Sequence, residues 1–295
     1  MAHLTYSSPT ALAFRIALKL LSVGAAQLCL ASVATAMGLM VAPATQVQCG
    51  AVLSVQPAPP PASAKRLEGS KAVQGQKDIS WAWLGSPTAR YPHKALGSVT
   101  HAATLHVLAG SAQSQQELVY RLPFNRVFED LTVRLVDIDA DGRDEMIVIE
   151  SDALRGSSVV VLGLRTAPPA KAGDKAKSTM SIAEIARSEP TGGTFYWLNP
   201  VGVADFDGDG RLEIASVTTP HVGGILNLYH YRPPLLETFA NVMDVSNHRM
   251  GDPEQDLAVI VQLPGVRPTV IVPDMSLKAL HALRWEASDA KGTTG

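Results

Sequence analysis

The stretch Asp137-Ile138-Asp139-Ala140-Asp141-Gly142-Arg143-Asp144-Glu145 decides how this chain is read, because it recurs as Asp205-Phe206-Asp207-Gly208-Asp209-Gly210-Arg211-Leu212-Glu213. Each copy follows an apolar run, Val133-Arg134-Leu135-Val136 or Val201-Gly202-Val203-Ala204. Each leads into another, Met146-Ile147-Val148-Ile149 or Ile214-Ala215-Ser216-Val217. The repeated unit is therefore strand, acidic loop, strand. Carboxylates at loop positions 1, 3 and 5 converge on one point only when the backbone curls tightly. Gly142 and Gly210 at position 6 supply the freedom for that curl.

The gathered oxygens are those of Asp137, Asp139 and Asp141 in the first loop and of Asp205, Asp207 and Asp209 in the second. A backbone carbonyl at position 7 (Arg143, Arg211) and a carboxylate at position 9 (Glu145, Glu213) complete each set. So many hard oxygen donors suit Ca²⁺ rather than Mg²⁺. Left without a cation, the clustered carboxylates repel one another. An EF-hand loop begins the same way but requires a bidentate Glu at position 12 between two helices. Position 12 is Val148 in one copy and Ser216 in the other, and the flanks are β-rich. The plain alternative is a tight Asp/Gly turn without metal. A second nine-residue copy in the same strand setting favours the metal.

The first residues of the two loops lie 68 positions apart. A third, altered copy runs from Leu257 to Val272: Arg267 and the apolar residues after it align with Arg143 and Arg211, but Gln262 replaces the first Asp. It is expected to keep strand, turn and strand and to have lost the metal. Further β-branched or alternating runs (104–108, 118–122, 158–162, 225–231 and 277–283) are separated by Gly and Pro. The expected class is all-β, with three or four strands per repeat.

Asp-x-Asp-x-Asp-Gly-x-x-Glu between two apolar strands resembles the FG-GAP/VCBS repeat of integrin α-chain propellers and of many exported bacterial proteins. The likeness covers roughly Leu96 to Trp285 and takes in Trp197-Leu198-Asn199-Pro200, the segment 219–224 and the segment 246–251. It implies a β-propeller whose loops bind Ca²⁺ and brace its rim. Position 9 is Glu where that family often has Asp. The roughly 200 residues available, at about 50 per blade, allow about four blades, in a closed, open or incomplete ring.

The remaining segments are read from composition. Arg15 and Lys19 precede an uncharged apolar stretch from Leu20 to Val41, and Ala34-Thr35-Ala36 is an A-x-A pattern. Residues 1–36 are thus a secretory signal peptide or an uncleaved signal anchor, and the chain beyond them is expected to be exported to the periplasm or the extracellular space. If cleavage falls after Ala36, Cys29 is removed, Cys49 remains alone and no internal disulfide is then possible. Residues 37–78 read as a Pro/Ala-rich linker, residues 79–286 as the repeat domain, and residues 287–295 as a disordered tail. A formal charge of −2 argues against nucleic acid, and contact with a membrane is expected only through the N-terminal anchor.

No Gly-x-Ser-x-Gly, His-Glu-x-x-His, phosphate-binding Gly loop or Cys-x-x-Cys occurs, so the chain is expected not to be an enzyme. Trp197, Asn199, His221, Asn247 and His248 stand between strands and form the candidate ligand site, for a protein or a glycan. The plain alternative makes Trp197 core and the histidines turn residues. A lectin-like or polysaccharide-lyase-associated role is the second functional reading.

Overall fold

The computed structural model describes residues 4–6, 66–110, 115–167 and 179–286. Within them the chain is all-β, and none of the described residues is helical. The strands succeed one another as antiparallel meanders. The first comprises β2 (Val73–Gln74), β3 (Ile79–Thr88), β4 (His101–Ala109) and β5 (Gln116–Arg121). A short β6 (Arg126–Phe128) bridges β4 to the second, which holds β7 (Arg134–Val136), β8 (Glu145–Asp152), β9 (Gly156–Ala167) and β10 (Thr179–Arg187).

The third meander runs through β11 (Leu198–Ala204), β12 (Glu213–Thr218), β13 (Ile225–Arg232) and β14 (Leu235–Met243). The fourth contains β15 (Val259–Val261), β16 (Thr269–Pro273) and β17 (Leu280–Trp285), with β1 (Leu4–Tyr6) paired to β17. Single bridges join the first three meanders into one hydrogen-bonded path. Its ends, β2 and β11, do not pair with each other.

Hydrophobic burial explains why the meanders stack. Side chains alternate across a strand, so a strand with apolar residues at every position buries both faces. In β8 and β9, Met146, Val148, Val160 and Leu162 pack toward the first meander, with Leu105, Val107 and Phe128. Their neighbours Ile147, Ile149, Val159 and Val161 pack the other way, against Trp197, Ile214 and Leu236. The third meander repeats the pattern. Ile214 and Tyr229 face the second, whereas Ala215, Val217, Leu226 and Leu228 join Val270, Val272 and Leu283 of the fourth. The last strands, β10 and β14, carry mixed, largely solvent-facing residues.

The expected linker ends earlier than position 78. Arg66 bridges Gly85, Leu67 is buried in the first core, Lys71 N donates to Leu131 O, and Val73–Gln74 pair with β3. Residues 66–78 therefore belong to the domain, because Leu67 and Val73 give this segment apolar surface that the Pro/Ala stretch before it lacks. The strand expected over 277–283 begins at Leu280 instead. Asp274 accepts from Lys278 N and Ala279 N, which closes a turn where Leu277 has φ +57°. The leader apart from 4–6, the linker from 37 to 65, both cysteines and the tail from 287 lie outside the described residues.

Candidate metal centre

Both acidic loops join the first strand of a meander to its second, β7 to β8 and β11 to β12. The first carboxylate reaches across each loop. Gly142 N donates to Asp137 Oδ2 at 3.1 Å, and Gly210 N donates to Asp205 Oδ2 at 3.1 Å. The second and third carboxylates close Asx turns on themselves. Asp141 N and Asp209 N donate to Asp139 and Asp207, and Arg143 N and Arg211 N donate to Asp141 and Asp209. The glutamates return to the loop start, where Glu145 Oε2 accepts from Ile138 N and Glu213 Oε2 from Phe206 N. One sequence pattern has thus produced one backbone path twice.

Gly142 and Gly210 have φ of 87° and 88°. That left-handed conformation is open to glycine and costs other residues roughly 1–2 kcal/mol. Position 4 is left-handed as well. Gly208 meets that demand in the second loop, whereas Ala140 is held at φ 59° in the first.

The side chains converge as expected in the second loop, where Asp205, Asp207, Asp209 and Glu213 each place one oxygen within 4.8 Å of the others. In the first, Asp137, Asp139 and Glu145 do so, and Asp141 is not among them. Arg143 and Arg211 would offer backbone carbonyls to a cation, and their side chains turn to different partners. Arg143 Nε donates to Asp78 of the first meander at 2.8 Å, while Arg211 pairs with Asp209 inside its own loop. Lys77 Nζ lies 3.4 Å from Asp137. Gln262, at the matching place in the fourth meander, is exposed and donates its amide to Val266 O.

The donor set fits a cation on two counts. Asp137 Oδ1 is buried without a hydrogen-bond partner, and a buried unpaired carboxylate oxygen is costly unless something positive meets it. Glu145 and Glu213 are almost fully buried, at 4% and 1% exposure. Burial first, and then the surrounding loop aspartates, push both carboxyls up to about 7.

This has a consequence for stability. Without metal the folded chain holds protons on these two groups that the unfolded chain has released, from the ordinary glutamate value up to about pH 7. Metal-free stability therefore falls as pH rises through that window. A calcium ion bound here would take the ionised forms, so the stabilising effect of added calcium is expected to grow between pH 5 and pH 8. Thermal unfolding at both pH values, with calcium and with chelator, checks this. An equal calcium effect at the two values would exclude the buried glutamates as ligands.

The candidate ligand residues do come together, but inside the protein. Trp197 is 1% exposed and donates Nε1–H to Glu129 O at 3.0 Å. His221 stacks on it, and His221 Nε2 meets His248 Nδ1 at 2.8 Å. Burial lowers both imidazoles, His221 to about 4. Asn199 and Asn247 are fully buried and tie adjacent segments together through each other's backbone. Trp197, Asn199, Asn247 and His248 are buried and His221 is half-buried, so these side chains pack within the fold, while Val222 and Met250 beside them are exposed. Trp197→Phe is expected to cost about 2 kcal/mol, through the orphaned Glu129 carbonyl and the smaller ring. Urea unfolding measures that loss directly.

No protein-family model matches this chain, and no curated protein matches it.

Several contributors carry no mark in the sequence that links them to the loops. Asp78 anchors the first loop from 66 positions away through Asp144 N. His230 reaches the second loop from β13 and donates to or accepts from Asp207 Oδ2 at 3.1 Å. The adjacent carboxylates Glu129 and Asp130 stand between Val127-Phe128 and Leu131. Both residues are fully buried. A cleft of about 350 Å³ opens between the two loops, lined by Asp139, Ala140, Asp209, Arg211, Tyr231 and Arg232.

Proposed function

We propose that this chain is a calcium-braced, exported β-propeller of the FG-GAP/VCBS kind, with four blades formed by the four meanders, and that it serves as a non-catalytic binding module. The observation that carries the metal part is the second copy of the loop. Two segments 68 residues apart adopt the same hydrogen-bonded path and present buried carboxylates whose mutual repulsion a divalent cation relieves. The order of four stacked meanders supports the propeller. Ring closure is part of the proposal.

The apolar N-terminal stretch and the Pro/Ala segment support export and tethering. Binding to a protein or glycan partner is what the resemblance implies, and the cleft between the two loops is the place where such a ligand would sit. Trp197 is buried and presents no open aromatic face to a glycan, whereas Phe195 and Tyr196 beside it are exposed.

The experiment is thermal unfolding of the full chain with calcium and with chelator. A calcium-dependent rise is the expected result. Identical unfolding curves would end the calcium reading.

A further inference from the structure

The two acidic loops share backbone and carboxylates but differ in what the neighbouring strand brings to them. Across β12 and β13, Glu213 stands directly opposite His230. At the corresponding place in the second meander, β8 and β9 pair Met146 with Leu162, which sets Gly163 beside Glu145. A Cβ at Gly163 would stand 3.8 Å from Glu145 Oε1 and would collide with Ile185. Gly163 brings no side chain to the first loop from that direction, whereas an imidazole enters the second.

His230 is placed to act on the loop. Its Nε2 is 3.1 Å from Asp207 Oδ2, and His230, Asp207 and Glu213 each offer one ligand atom within 4.8 Å of the others. The ring lies parallel to Phe239, with centroids 4.0 Å apart and planes 6° apart. Packing therefore fixes the direction of Nε2. An all-oxygen cage suits a hard cation of high coordination number. Imidazole nitrogen with two carboxylates, in a compact set of three, suits four-coordinate zinc with water as the fourth ligand.

We propose that the second acidic loop contains an overlapping subsite, formed by His230, Asp207 and Glu213, that takes a divalent transition cation of the zinc class in competition with calcium, while the first loop is an oxygen-only site. The competition, though not the subsite, rests on the calcium reading above. The two loops then respond to different ions, and zinc reaches one of them alone.

The test is titration of the chelator-stripped full chain with Zn²⁺, and with Co²⁺ as an optical probe, comparing wild type with His230→Gln and Asp137→Ala. Wild type is expected to bind a Zn²⁺ whose affinity falls at least about tenfold in His230→Gln. Asp137→Ala is expected to leave that affinity unchanged. Excess calcium should displace the wild-type zinc. Zinc affinity equal in wild type and His230→Gln would overturn the proposal.

Wild type labelled with ¹⁵N-histidine provides a second measurement that does not depend on the variant folding. One imidazole Nε2 should take on a metal-bound shift with Zn²⁺, and none doing so would also overturn the proposal. His230-dependent zinc binding without any calcium effect would leave the subsite standing and remove the calcium reading. A calcium effect with zinc binding independent of His230 would do the reverse.

Discussion

Replacing Asp137 and Asp205 together by Ala is expected to erase the calcium-dependent part of this protein's stability. Each aspartate opens its loop and accepts from the glycine N–H at position 6. Each is therefore placed both to offer an oxygen to a cation and to hold the curl that gathers the other carboxylates. Extracellular calcium modules bind with Kd of about 10⁻⁴–10⁻³ M. At about 10 mM calcium, mass action then gives about 1.4–2.7 kcal/mol per occupied site. Two sites amount to about 3–5 kcal/mol, a shift on the order of 10 °C for a domain of this size. The readout is the difference between calcium and chelator within each variant, so the structural cost of the substitution cancels. Either single variant should keep about half of the shift. A double variant that keeps all of it would place the calcium elsewhere.

Asp130→Ala is expected to cost about 3–5 kcal/mol, with calcium binding retained. Asp130 is fully buried. One of its oxygens accepts from Arg134 at 2.8 Å and from Ile149 N, and the other from Leu131 N and Gln255 Nε2. Gln255 in turn binds Asn199, which exchanges side-chain to backbone bonds with Asn247. The network connects the start of the second meander, the start of the third and the segment leading into the fourth. Removing its one carboxylate strands a guanidinium and several buried donors at once. Urea unfolding of Asp130→Ala measures the loss. A cost below about 1 kcal/mol would mean that water replaces the carboxylate and that the network is not what holds these segments together.

The acidic loops and the polar network differ in how far they show in the sequence. Both loops are legible because their carboxylates lie within nine residues of each other, and local backbone geometry brings such neighbours together whatever surrounds them. Asn199 and Asn247 look like loop residues open to a ligand, since a polar residue after an aromatic run carries no local mark of burial. Their buried state depends on Gln255 and Asp130, which approach from other meanders. Residues 66–78 read as linker for a related reason. The Pro/Ala bias before them hides Leu67, which is buried, and Val73, which is half-buried, both alongside β3.

By itself the sequence determined the all-β class, the strand–loop–strand repeat and the position of the carboxylates, because alternation, turn chemistry and short-range spacing act within one segment. The tertiary structure alone decided which polar residues are sealed inside, that Trp197 is core, and that His230 enters one acidic loop while Gly163 keeps the other clear. Those outcomes depend on strand register and on stacking between meanders, where residues far apart in the chain meet only after the apolar faces have been buried.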